Sequence, residues 1–284
     1  MSYPSLRRGV QGIAALLYNI RLPNLLTGTI HQGPTKYLCV PGLNCYSCPA
    51  ALASCPLGAL QTVLSNYRTY VSAYAVGFLA LFGSLFGRFT CGWLCPFGLY
   101  QELLHRLPGK KMRVHVPKLA HLRYFILASL VLIAPLALLD PAGNGIPAFC
   151  AWLCPAGTLQ AGLPLLASQP FLREIAGALL GWKAALLIAL SALSVSVYRP
   201  FCRWICPLGL IYGWFNGIAL HRISVSRHAC TSCRACEGVC GMDAAVWKHA
   251  GDSRCIRCGD CVRACPSGAL TMGFCSKEVT QGPR

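Results

Sequence analysis

Two stretches near the C-terminus, 230–240 and 255–265, each carry four cysteines at one shared spacing. No other feature constrains the fold as much. Cys230, Cys233, Cys236 and Cys240 form the first run; Cys255, Cys258, Cys261 and Cys265 form the second, which Pro266 follows. Three thiolates at intervals of three can wrap one corner of an iron–sulfide cubane, and a fourth ligand has to come from a separate piece of chain. Folding must therefore draw distant cysteines together. Eight cysteines in duplicate register rarely arise for packing alone. A pair of zinc sites would need neither the third cysteine nor the terminal Cys-Pro.

The second run matches the C-x2-C-x2-C-x3-C-P spacing of bacterial ferredoxins. The first has the same spacing, with Gly241 where Pro is usual, which alters the local turn. In two-cluster ferredoxins the fourth cysteine of each run serves the other cluster. The resemblance implies one [4Fe–4S] cluster on Cys230, Cys233, Cys236 and Cys265. It implies a second on Cys255, Cys258, Cys261 and Cys240. Cys275 lies outside both runs and reads as a free, partly buried thiol.

The rest of the chain reads as a membrane protein. It is 55% hydrophobic and 12% charged overall. Residues 1–229 hold eighteen Lys and Arg against three acids, Glu102, Asp140 and Glu174. Basic residues that separate long apolar runs are the mark of membrane anchors rather than of a nucleic-acid-binding face. Nineteen cysteines in a long apolar chain also argue against a small secreted disulfide scaffold. Apolar runs at 69–86, 122–139 and 175–197 approach the roughly 20 residues that cross a bilayer. A fourth, 9–30, is interrupted by Asn19, Arg21, Pro23 and Asn24, and an interfacial helix competes with a span there. No cleavage site of a signal peptide follows it. With four spans, the basic loops around 88–123 and 199–227 share one side with Arg7 and Arg8. That side is the cytoplasm by the positive-inside rule.

The apolar region also repeats itself. Cys55, Cys95, Cys154 and Cys206 each start a Cys-Pro-x-Gly sequence, and the first three copies end in Gln61, Gln101 and Gln160. Cys91, Cys150 and Cys202 lie four residues before their partners, with Trp93, Trp152 and Trp204 between. Pro after each Cys suits the first helical position. The positive end of the helix dipole then faces the sulfur and favours a thiolate.

Cys91-Gly-Trp-Leu-Cys95-Pro and Cys202-Arg-Trp-Ile-Cys206-Pro resemble the two motifs of the NapH/NosR-type membrane polyferredoxins. That resemblance implies about four helices, two cytoplasmic clusters and electron supply from quinol toward periplasmic reductases. The chain departs from the pattern in its third motif, Cys150-Ala-Trp-Leu-Cys154-Pro, and in an N-terminal set, Cys39, Cys45, Cys48 and Cys55. Topology puts Cys91, Cys95, Cys202 and Cys206 near the inner surface as ligands of a candidate inner cluster. It puts Cys39, Cys45, Cys48, Cys55, Cys150 and Cys154 near the outer surface, where four of the six could hold another. Disulfides or buried packing thiols compete, most seriously outside.

The expectation is an all-α membrane protein of about four transmembrane helices, residues 1–222, followed by a small α+β two-cluster ferredoxin-like domain, 223–284. It would sit in the cytoplasmic membrane with that domain in the cytoplasm. Two [4Fe–4S] clusters are expected, with one or two further clusters and quinone as candidates. The expected function is relay of electrons between a cytoplasmic partner and the quinone pool or an extracytoplasmic redox partner. Expected partners are lipid and other redox subunits or a ferredoxin-like donor or acceptor, and no nucleic acid. Within a larger redox complex it would be an electron-transfer subunit. An enzyme in its own right that oxidises or reduces a quinone at the bilayer is one rival, and a maturation factor or redox sensor for a metalloenzyme is another. His105, His121 and His221 near the interfaces read as structural rather than haem- or quinol-binding. Trp93, Trp152 and Trp204 fit either an aromatic belt or a water shield around clusters. No catalytic set is visible in the sequence.

Overall fold

The computed structural model describes residues 3–65, 71–114, 116–141, 143–174 and 177–274. Cys275 lies outside the described residues, as do the first two residues of each of the expected runs 69–86 and 175–197. The principal helices are α1 (Tyr3–Tyr18), α2 (Pro56–Ser65), α3 (Val71–Phe86), α4 (Pro96–His105), α5 (Lys118–Ala137), α6 (Ala178–Ser196) and α7 (Pro207–Trp214). Two strands, β1 (His221–Val225) and β2 (Leu270–Phe274), pair antiparallel with His221 opposite Phe274 and Val225 opposite Leu270. The chain is thus mostly helical with one small sheet.

Among the described residues, α5 and α6 are long and apolar enough to cross a membrane. The described part of α3 has 16 residues. At 1.5 Å per residue that is about 24 Å, short of a hydrocarbon core of about 30 Å. The 9–30 run does not form one span. Helix α1 stops at Tyr18, where the Asn19 side chain turns back to bond Ala15 O at 2.9 Å. A single turn, Asn24–Thr27, then ends at Gly28, whose φ of 68° favours glycine. Helix α1 buries Arg7, Gln11 and Ala14 at helical spacing and exposes Ile13, Leu16 and Leu17.

Each Cys-Pro repeat starts a helix, as the sequence predicts: Pro56, Pro96, Pro155 and Pro207 occupy first helical positions. Cys95 and Cys206 stay extended before them, because a residue that precedes proline is kept out of the helical region. One apolar core contains Cys55, Cys91, Cys95, Cys154, Cys202 and Cys206, with Cys150, Cys240 and Cys258 packed against it.

The C-terminal segment is clamped to this core by buried arginines. Arg88 bonds Ser253 O at 3.0 Å and Cys202 O at 2.9 Å. Arg257 bonds Phe86 O at 2.7 Å, Asn216 O at 2.8 Å and His221 O. Trp93 donates its indole N–H to Arg257 O at 3.0 Å. Arg203 pairs with Asp243. Glycines make the close approach feasible. A Cβ on Gly92 would collide with the backbone carbonyl of Ile256. One on Gly241 would lie 2.5 Å from the Tyr198 ring, so glycine replaces the usual proline where the first run meets the helical core.

Gly92→Ala is therefore expected to cost about 1–3 kcal/mol by overpacking against backbone. It should lower the melting temperature and expose the 221–274 segment to limited proteolysis. Gly181→Ala on the open side of α6, with nothing within 4 Å, is the control and should be neutral or mildly stabilising. Equal melting of the two variants would contradict the clamp.

Candidate iron–sulfur sites

Two glutamines show how the repeats pair. Gln101 donates from Nε2 to Cys202 Sγ at 3.1 Å and accepts from Phe201 N at 3.1 Å. Gln61 does the same to Cys150 Sγ at 3.1 Å and Phe149 N at 3.1 Å. The Cys95 repeat thus locks onto the Cys202 repeat, and the Cys55 repeat onto the Cys150 repeat. The third glutamine, Gln160, accepts from Cys45 N at 2.7 Å. Cys45 is thereby tied to the Cys154 repeat, while Ala51, four residues before Cys55, carries no thiol.

Electrostatic neighbours follow the same pairing. Cys206 feels Cys202, Cys91 and Cys95. Cys150 feels Cys154, Cys55 and Cys45. A Cβ on Gly157 would contact both Cys45 Sγ and Cys154 Sγ. Cys39 lies beside Cys55, and Cys48 beside Cys45. The six thiols expected outside thus lie near one another, with Cys45, Cys55 and Cys154 around Cys150, Cys39 beside Cys55 and Cys48 beside Cys45.

The expected separation of the two groups, one at each membrane surface, is not what the structure contains. Gly42 packs against the Cys95 backbone, Leu43 N–H reaches Cys95, and Asn44 N–H reaches Cys55. Along α6, Lys183 bonds Cys150 O at 3.2 Å and Ser191 bonds the Tyr100 hydroxyl at 2.8 Å. Those eight residues span about 12 Å, far less than a bilayer. The 39–55 loop folds inward and the helices that follow each Cys-Pro lead away, so both groups meet in the interior.

In the C-terminal segment Cys230, Cys233, Cys236 and Cys265 line one small recess. Cys261 has Cys255, Cys240 and Cys236 as electrostatic neighbours, which joins the second expected set to the first. Burial raises the Cys261 thiol to about 12 and the Cys255 thiol to about 11; the N–H of Arg257 partly offsets the latter. The Ser267 hydroxyl holds the Cys265 thiol below its usual range.

The two runs also share backbone conformation. Ser232 and Arg257, Arg234 and Gly259, and Asp243 and Gly268 all have positive φ, and each pair is 25 residues apart. Left-handed residues at these places curl the loops so that successive N–H groups turn inward, a concavity suited to anions. Only Gly259 and Gly268 signalled this in the sequence.

Among the described residues no three His, Cys, Asp or Glu side chains converge on a single ion. One tetrahedral zinc draws its sulfurs to about 3.8 Å from one another, given Zn–S bonds of about 2.3 Å. The four irons of a cubane keep its cysteines farther apart. Buried donors beside the cysteines fit [4Fe–4S] clusters, which carry negative charge. Fully buried Arg88 has no carboxylate partner among the described residues, and it bonds the carbonyl of Cys202. Arg199 bonds Cys91 O at 2.6 Å, and Lys36 bonds Cys48 O at 3.1 Å. Tyr212, at the position where the other three repeats have Gln, is fully buried beside Cys91, Cys55, Cys39 and Cys95. Its hydroxyl has no partner among the described residues.

The remaining candidates meet neighbours within the protein. His105 Nδ1 lies 3.1 Å from Ser194 O. His221 packs between Phe89 and Phe274, and His121 against Tyr124. Trp93 is buried at the joint with the C-terminal segment, Trp204 is buried under Arg203, and Trp152 O accepts from the Trp182 indole. No local pattern signals the network in which Glu102 receives Arg7 at 2.8 Å, Arg199 at 2.9 Å and the Tyr198 hydroxyl.

Fold and sites together define an iron–sulfur protein of the ferredoxin type. Residues 68–115, 122–168 and 180–226 match the family profile of a 4Fe-4S binding domain, and 252–271 match a second profile of the same description. The chain belongs to this 4Fe-4S binding family. An uncharacterized protein of Methanocaldococcus jannaschii is 31% identical over 206 residues, covering 68% of this chain and 75% of the relative. The methylamine utilization ferredoxin-type protein MauN of Paracoccus denitrificans is 32% identical over 156 residues, 54% and 48% of the two chains. The ferredoxin-type protein NapH of Haemophilus influenzae is 28% identical over 207 residues, 68% and 64%. No solved structure matches the chain.

Proposed function

We propose that this protein is a membrane-bound relay that carries electrons through four [4Fe–4S] clusters, from a cytoplasmic partner toward the quinone pool or an extracytoplasmic redox partner, or in reverse. The observation that carries this reading is the continuity of the cysteine groups. Cys236 adjoins Cys261. Gly92, beside Cys91, rests on Ile256, beside Cys255. The 42–44 loop joins Cys95 to Cys55. The sequence of groups would be Cys230/Cys233/Cys236/Cys265, then Cys255/Cys258/Cys261/Cys240, then Cys91/Cys95/Cys202/Cys206, then Cys45/Cys55/Cys150/Cys154.

Bound clusters supply one-electron redox chemistry. The chain supplies everything around them. Helix N-termini and Arg88, Arg199 and Lys183 stabilise negative charge. Gln101 and Gln61 fix Cys202 and Cys150 and donate to their sulfurs. The apolar core excludes water. Hydrogen bonds and burial of this kind set reduction potentials. In this reading α5, α6 and the longer of the remaining apolar helices lie in the cytoplasmic membrane, with residues 223–284 a two-cluster domain in the cytoplasm. Lipid surrounds the helices, and quinone is the membrane-side acceptor or donor.

Replacing both Cys91 and Cys202 by Ala should remove about four irons per chain, one cluster. EPR signals of the C-terminal clusters should persist. Unchanged iron would refute the third cluster. Tyr212→Phe removes a single buried donor. It should leave iron content intact and lower the midpoint potential of the cluster nearest Cys91 in an EPR-monitored titration. An unmoved potential would show that the hydroxyl does not face a cluster.

A further inference from the structure

Gln11 is fully buried, and neither end of its amide has a partner among the described residues. An amide left unpaired in an apolar interior is costly, so a buried one calls for a group that meets it. The polar side chains near it along α1 do not answer it. Arg7, one turn back, gives Nη1 to Glu102, and Asn19, two turns on, bonds Ala15 O and Asn44.

The position of Gln11 narrows the choice of partner. Arg7, Gln11, Ala14 and Tyr18 follow one another at helical spacing and share one stripe of α1. The helix packs across Phe89–Trp93 and α4. Arg7 pairs with Glu102 late in α4 at 2.8 Å, and Tyr18 lies beside Cys95, just before α4 starts. The two helices therefore run antiparallel, and Gln11 falls between those contacts, level with the first half of α4. At that level a Cβ on Gly98 would come 3.1 Å from Cys91 O, so α4 and the Cys91 turn meet there. Gln11 thus stands over the turn from Cys91 to Cys95. Elsewhere in this fold glutamine already serves cysteine sulfur: Gln101 donates to Cys202 and Gln61 to Cys150, each at 3.1 Å.

We infer that Gln11 donates its amide N–H to a sulfur of the cluster held by Cys91, Cys95, Cys202 and Cys206. The inference rests on the reading above that these four cysteines hold a cluster. Gln11 ligates no iron and is a positioning residue. Gln101 supplies one hydrogen bond to this group from α4, and Gln11 would supply a second from α1. A donated hydrogen bond favours the more negative, reduced state and raises the reduction potential. The Arg7–Glu102 pair would fix the rotation of α1 and so aim the amide.

The test is an EPR-monitored redox titration of the full chain, purified anaerobically. Gln11→Met has similar length and no donor. It should keep about sixteen irons per chain, four cubanes, and lower one midpoint potential. The shifted signal should be the one that Cys91→Ala with Cys202→Ala removes. Gln11→Glu keeps the shape, exchanges the NH2 for an oxygen and should lower the same potential. In the Cys91→Ala, Cys202→Ala background Gln11→Met should move no remaining potential. A full set of irons with unmoved potentials in both Gln11 variants would overturn the inference and leave the relay intact. A shift that persists in the double-cysteine background would assign the amide to a C-terminal cluster and overturn it too. About eight irons in the wild type would instead defeat the relay reading, and the inference with it.

Discussion

Burying a guanidinium costs several kcal/mol unless its charge is met. This chain buries Arg88, Arg199 and Arg257 almost completely. Glu102 answers Arg199, with Arg7 as a third member of that group. Among the described residues the guanidinium groups of Arg88 and Arg257 meet only carbonyls, and burial pulls Arg257 down to about 10. Arg88 reaches the carbonyl of Cys202, whereas Arg257, which itself lies between Cys255 and Cys258, sends its guanidinium to the carbonyls of Phe86, Asn216 and His221. Negative clusters at those cysteines would complete the charge balance. The same arginines tie the C-terminal segment to the helical core, so electrostatics and docking are one constraint.

The repeats obey a second requirement. A thiol in an apolar core has to be aimed, and a glutamine from the partner repeat does it. One amide holds the backbone N–H before a cysteine and the sulfur itself, so the two repeats cannot slide past each other. Gln61 and Gln101 do this identically, which makes the two halves of the membrane region near copies. The copy is imperfect at Ala51 and Tyr212. The first carries no thiol, and the second puts a phenol between the two cysteine groups.

Much of this was legible in the sequence. The paired C-terminal runs reveal themselves by spacing, because cluster geometry leaves few alternatives. Helix starts at Pro56, Pro96, Pro155 and Pro207 are legible for the same local reason. Which repeat meets which was not legible, since Gln61 and Gln101 look like ordinary polar residues until the fold brings Cys150 and Cys202 to them. The burial of several of the arginines in the positive-inside count was not legible either. Arg7, Arg88, Arg123, Arg199 and Arg203 look like loop charges but are buried. Gly241 looked like a defect in a motif and is a clearance for Tyr198, a contact that local pattern cannot reveal. The inward fold of the 39–55 loop likewise depends on long-range contacts to Cys95.

The central claim is that the cysteines of the helical core hold clusters as well as those of the C-terminal runs. Iron and acid-labile sulfide per chain, measured on anaerobically purified protein, test it most directly. Four cubanes predict about sixteen of each. A value of about eight would confine the clusters to the C-terminal segment and contradict the relay through the helical core.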